Sequence, residues 1–185
     1  MASQLQAPRQ RADRCAGPGR APVIFTLGTS TRTPEEFVAC CRAFGVRCIA
    51  DVRRFPTSRR FPQFVREAFA AFLREAGIAY VHLGPALGGY RPGGYEAYAA
   101  TPAFAAGLAD LERLARAAPT AVVCSERLPW RCHRRFIARA LEARGWRVVH
   151  IIEPNRVWTP AQASDEHAAD DRAAPPTATA APREA

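Results

Sequence analysis

Apolar positions along the chain alternate between two periods, and the alternation is regular enough to predict elements. Val23-Ile24-Phe25-Thr26-Leu27 is a short continuous apolar run bounded by Gly28, the pattern of a strand buried on both faces. Thr33-Pro34-Glu35-Glu36 then reads as a helix start, with Thr33 as cap, Pro34 at the first helical position and Glu36 at the third. Phe37, Cys40, Cys41 and Phe44 form the apolar stripe of that helix, and Gly45 stops it. The same unit recurs. Residues 47–52 predict a second strand, about 63–76 a helix closed by Gly77, and 78–83 a third strand. One or two helices cover 95–117, a fourth strand covers 120–124, a helix about 132–144, and a last strand 146–152.

Strands alternating with helices predict an α/β fold: a single domain with a mostly parallel five-stranded sheet and helices on both faces. Residues 1–21 and 159–185 are rich in Ala, Arg and Pro without periodicity and are expected to be a disordered leader and tail around a domain at 22–158. In a parallel sheet every strand-to-helix loop lies on one edge. Gly28–Arg32, Asp51–Arg60, His82–Arg91 and Cys124–Arg135 all follow strands, whereas the opposite connections (Gly45-Val46, Gly77, Ala118-Pro119, Gly145) are short and plain. Glycine, arginine, histidine, cysteine and carboxylate are therefore loaded onto the edge where open sheets bind ligands.

Composition adds charge to this picture. The chain has 185 residues and a formal net charge of +9. All 26 basic residues are arginine, and residues 23–158 hold 20 of them against 11 Asp plus Glu. Such a domain suits an anionic small molecule or a nucleic acid, although an evenly arginine-rich surface has the same composition. No apolar run approaches the ~20 residues needed to cross a bilayer, and the amino terminus has no apolar stretch of signal-peptide length, so a cytoplasmic protein without a membrane partner is expected. The six cysteines form no C-x-x-C pair and no disulfide framework.

The densest chemistry lies in the stretch Ala121 to Ile137, A-V-V-C-S-E-R-L-P-W-R-C-H-R-R-F-I. A thiol at Cys124, beside arginines and near a helix amino terminus, is a candidate nucleophile with a depressed pKa; it is equally a buried strand-end cysteine. Cys132 is a candidate second thiol, His133 a general base, and Glu126 its acid or orienting partner. Asp51 ends a strand and either assists proton transfer or forms a salt bridge with Arg53. Gly28, Ser30 and Thr31, ahead of a helix, offer backbone N–H groups and hydroxyls to an anion. Arg32, Arg53, Arg54 and Arg134 are candidate anion ligands, with His82 and Trp130 brought in by neighbouring loops. No cofactor is indicated by motif. The Cys124, Cys132, His133 and His82 set, with or without Glu126, could instead bind zinc, though C-x7-C-H lacks the usual close pairing of ligands.

At these loops the chain resembles the family catalogued as domain of unknown function 488. The resemblance is carried by T-L-G-T-S-T-R-T-P-E-E-F at Thr26, D-V-R-R-F-P-T-S-R-R-F-P at Asp51, Y-V-H-L-G-P-A-L-G-G at Tyr80 and C-S-E-R-L-P-W-R-C-H-R at Cys124. It implies a small α/β domain over roughly residues 23–152 and implies no reaction. Asp51-Val52-Arg53 and Cys124 also occupy places similar to the D-V-R segment and the nucleophile of rhodanese-type domains. The loop after Cys124 departs from that pattern, being longer, containing Pro129 and Trp130 and lacking glycines. The leading expectation is an enzyme that handles a phosphate-bearing or other anionic substrate at this edge. The alternative is a non-catalytic nucleic-acid-binding module.

Overall fold

The computed structural model describes residues 21–159. The expectations for residues 1–20 and 160–185 lie outside the described residues. The described chain builds one six-stranded sheet in the order β3-β2-β4-β1-β5-β6. The strands are β1 (Val23–Gly28), β2 (Cys48–Asp51), β3 (Ala79–His82), β4 (Thr120–Cys124), β5 (Arg147–Glu153) and β6 (Arg156–Trp158). The first five pair in parallel, as the alternating pattern requires. The sixth was not expected. The chain turns at Pro154-Asn155 and runs back antiparallel to β5, pairing His150 with Trp158. Its three residues are too few for periodicity to reveal, so the five-stranded expectation is corrected to six.

Helices α1 (Pro34–Ala43), α2 (Arg66–Glu75), α3 (Gly84–Leu87), α4 (Tyr95–Ala99), α5 (Pro102–Ala117) and α6 (Arg134–Glu142) complete the fold, with 3-10 turns at Pro62–Phe64 and Pro129–Arg131. The Thr33 capping box forms as read: the Glu36 amide donates to Thr33 Oγ1 and the Thr33 amide to Glu36 Oε2. The α6 helix begins two residues later than the apolar stripe suggests, which leaves Cys132 and His133 in the loop rather than in the helix.

Two hydrophobic layers sandwich the sheet. On one side Phe37, Cys40 and Cys41 of α1 and Phe69 and Leu73 of α2 pack against Leu27, Ile49 and Val123. On the other, Leu108 and Leu111 of α5 and Ile137, Ala138 and Leu141 of α6 pack against Ile24, Ala50, Val122 and Cys124. Successive side chains of a strand face opposite sides of the sheet, so these memberships assign every strand residue to a layer.

The connections give the sheet a switch point. From β1 the chain leaves through α1 into the first layer, and from the adjacent β4 it leaves through α6 into the second. The loops after β1 and β4 therefore part company, opening a crevice at the carboxyl ends of those two strands, the place where open α/β sheets hold ligands.

Candidate functional site: a thiol centre and a hydroxyl-lined cavity

The predicted residues do gather at the carboxyl edge, but the period of the strands divides them between the two layers. Asp51 alternates with Ile49 and so faces α1 and α2. There its carboxylate accepts from Arg53 Nε at 2.9 Å, from Arg53 Nη2 at 2.6 Å and from the Tyr80 hydroxyl at 2.8 Å. Arg53 also donates through Nη1 to the Phe64 carbonyl at 2.7 Å and lies over the Phe69 ring. Both partners are buried, Asp51 at 0% exposure and Arg53 at 6%. Burial, with the Asp51 charge adding to it, pushes the Tyr80 hydroxyl pKa up, which keeps it a donor. His82 Nε2 meets the Arg53 carbonyl at 2.9 Å. Every strong hydrogen-bonding site of Asp51 is thus occupied within the protein.

In the same layer a cavity of about 280 Å³ opens at the switch point. Thr29, Ser30 and Thr31 from the loop after β1 line it, with Ser125 and Glu126 from the loop after β4, Thr57, Ser58 and Arg53 from the loop after β2, and Phe61 and Phe64. Ser30 holds a positive φ of 48° here, a conformation that a non-glycine residue adopts at some cost. Gly28 is needed beside it, because a side chain there would run into the Glu126 main chain. The lining is rich in hydroxyls rather than in charge, since the Arg53 guanidinium is engaged by Asp51.

The other layer holds the thiols. Cys124 ends β4 facing α6, and Cys132 reaches it from the loop before α6. The two sulfurs and a ring nitrogen of His133 all lie within 4.8 Å of one another. His133 Nε2 donates to the Val52 carbonyl at 3.2 Å, which turns Nδ1 toward Cys132 Sγ at 3.7 Å. Its ring packs on Tyr95, with centroids 5.0 Å apart. The Arg134 amide donates to Cys132 Sγ at 3.4 Å.

Beneath the sulfurs lies Arg134, 1% exposed. Its guanidinium donates to Thr26 Oγ1 at 3.3 Å and to the carbonyls of Glu126 and Arg127, while its Nε has no partner. Among the described residues no carboxylate pairs with it. A buried cation without an anion is costly, so the sulfurs are its available counter-charge. They divide that role. Hydrogen bonding from Cys124, with His133 and Arg134 contributing, draws the Cys132 pKa well below that of an ordinary thiol. Burial and the hydrogen bond to Cys132 drive Cys124 the other way. Of the pair, Cys132 is drawn toward the thiolate and Cys124 is held toward the thiol, the reverse of the expectation that placed the low pKa at Cys124. The reason is that Cys124 ends a buried strand while Cys132 meets the Cys124 thiol, His133 and the Arg134 amide from a loop. Cys40, Cys41 and Cys48 are raised by burial, Cys41 to about 12.

The same trio has the donors and spacing for a tetrahedral zinc ion. The charge count disfavours it. A divalent ion on two thiolates next to Arg134 leaves a buried positive charge in excess, whereas one thiolate against Arg134 leaves none.

Residues that the sequence reading missed complete the second layer. Thr26 and His150 sit on the strand face of Ile24 and Val148, and Thr26 Oγ1 and His150 Nδ1 share a hydrogen bond of 2.7 Å. Burial and the nearby Arg134 hold the His150 pKa at about 3. Both residues lie in mid-strand, where apolar neighbours hide them; only a polar pair on adjacent buried strands marked them. The remaining candidates lie elsewhere. Arg32, 3% exposed, donates to the Gly28 and Ile152 carbonyls, Arg54 leans over Phe55, and Trp130 packs at a tilt against Trp158.

Comparison with known families finds a match. The family described as Domain of unknown function DUF488 matches residues 33–141, more than half of the chain. The chain belongs to that family. The matched span runs from the α1 capping box nearly to the end of α6, so in this DUF488 member it includes Asp51, Arg53, Glu126, both thiols, His133 and Arg134. No curated protein and no solved structure matches the chain. Among the described residues no helix is long and apolar enough to cross a membrane.

Proposed function

We propose that the protein is a thiol-dependent enzyme in which Cys132 is the nucleophile toward an electrophilic centre of an anionic substrate, phosphate-bearing compounds such as nucleotides being the class to screen first. One observation carries the reading: a guanidinium buried without a carboxylate lies against a pair of thiols. That arrangement holds one sulfur ionised at neutral pH, and a thiolate needs no base before it attacks. As the sulfur forms its new bond, the electron pair of the broken bond leaves with the leaving group. That group takes its proton from water, and His133 Nδ1 stands 3.7 Å from Cys132 Sγ beside its path. The overall charge of +9 favours an anion.

The nucleic-acid module finds less support, because Arg32, Arg53 and Arg134 are buried and tied to partners inside the fold. Binding a polyanion through surface arginines alone would make affinity fall steeply with salt.

The test is the pH dependence of iodoacetamide labelling at each cysteine of the native full-length chain, read by peptide mass spectrometry. Cys132 is expected to react at a rate that stays level down to mildly acidic pH, with Cys124, Cys40, Cys41 and Cys48 protected until unfolding. A Cys132 rate that climbs with the ~8.5 midpoint of an ordinary thiol would overturn the assignment. Substrates are then screened with wild type against Cys132→Ser.

A further inference from the structure

A nucleophile needs one sulfur, and this site keeps two. Cys124 has no access to solvent of its own and is held protonated, yet β4 delivers its sulfur within 4.8 Å of the thiolate. A disulfide needs an S–S separation of about 2.05 Å, so closure asks the sulfurs to approach by less than about 3 Å. Cys132 can supply that movement. It stands between the Pro129–Arg131 turn and α6 in extended backbone (φ −136°, ψ 154°), outside any regular hydrogen-bonded element. The three other described cysteines offer no such pair, since Cys40 and Cys41 are neighbours on α1 and Cys48 begins β2.

We propose that Cys124 and Cys132 are a dithiol–disulfide pair that exchanges two electrons with a substrate disulfide. The proposal rests on Cys132 being the thiolate, as above. Cys132 S⁻ attacks one sulfur of R–S–S–R, forming a mixed disulfide and expelling RS⁻. The Cys124 thiol then passes its proton to the departing thiolates and attacks Cys132 Sγ, expelling the second RS⁻. The protein ends as the disulfide and the substrate as one thiol, carrying the Cys124 proton, and one thiolate that takes a proton from water, so the substrate is reduced by the two electrons that the protein loses. Closure removes the anion facing Arg134 and leaves that guanidinium buried without counter-charge. The dithiol is thus favoured, and the closed disulfide is a ready oxidant of other thiols.

The experiment uses the full-length chain, treated with a chelator and then equilibrated against glutathione and its disulfide at graded ratios, with peptide mapping of the products. Wild type is expected to close a Cys124–Cys132 disulfide only at oxidising ratios and to carry little mixed disulfide. Cys124→Ser, or Cys124→Ala if the serine disturbs folding, should stop at a mixed disulfide on Cys132, and Cys132→Ser should do neither. Arg134→Met should shift the closing ratio at least tenfold toward the disulfide. Stable accumulation of the mixed disulfide in wild type would show that the two sulfurs cannot meet, sinking the pair while leaving Cys132 as a nucleophile. Absence of both products with a Cys132 that labels normally sinks the pair alone. Absence of both with an unreactive Cys132 sinks both readings. In a parallel sample left without chelator, stoichiometric zinc that blocks closure would also overturn the proposal.

Discussion

Arg53 and Arg134 stand at the same edge of one sheet, both almost wholly buried, and the fold satisfies them in opposite ways. Arg53 meets a carboxylate through two nitrogens and a carbonyl through a third, so the Asp51 pair is closed. Arg134 meets one hydroxyl and two carbonyls and keeps a nitrogen spare. A closed ion pair has little left with which to perturb a third group. An open one places its field on whatever lies nearest, and here that is two thiols. The difference teaches how to tell a structural arginine from a functional one: count what already neutralises it.

Several variants would break or sharpen this contrast. The largest effect belongs to the closed side. Asp51→Ala strands the Arg53 charge and should cost about 3–5 kcal/mol in denaturant unfolding, while an Asp51→Leu, Arg53→Met double variant recovers most of the loss. A cost below about 1 kcal/mol in the single variant would mean the pair is not structural.

On the open side, His150 stays neutral in the fold to about pH 3 but takes up a proton near 6.5 once unfolded. Between those values the unfolded state binds more protons, so stability is full above 6.5 and declines as pH falls toward 3. The slope from this one group is about 1.4 kcal/mol per pH unit. His150→Asn should flatten that limb of the pH–stability curve, and an unchanged slope would refute the burial argument. A smaller effect is expected for Arg134→Met, read in the labelling profile: the apparent Cys132 pKa should rise by about one unit or more, each unit being about 1.4 kcal/mol. An unmoved profile would assign the ionisation to His133 and the Cys124 hydrogen bond instead.

Much of this was legible in the sequence. The apolar runs and the T-P-E-E start placed the parallel strands and α1, and the one-sided loading of polar loops identified the working edge. The division of that edge into two layers was not read, although the period of two that places Ile49 opposite Ala50 also places Asp51 opposite Val52. In sequence a strand-end carboxylate such as Asp51 looks the same whether free or paired; the contacts from Arg53 and from Tyr80 on another strand decide it. Proximity to arginines in sequence points to Cys124 as the ionised thiol, but it says nothing about burial, which acts against ionisation there. The β6 hairpin, His150 and Thr26 depend on contacts between distant segments, which local pattern does not record.

Glu126 belongs to both sides of the edge at once. The residue lines the hydroxyl-rich cavity in one layer, while its carbonyl oxygen accepts from Arg134 in the other, 3.9 Å from Cys124 Sγ. One residue therefore borders both. An occupant of the cavity that displaces this residue would change how Arg134 is held and hence how readily the thiols ionise. By thermodynamic linkage the chemical state of the sulfurs would alter affinity in the cavity by the same factor. The cavity and the thiol centre thus border one loop residue, Glu126.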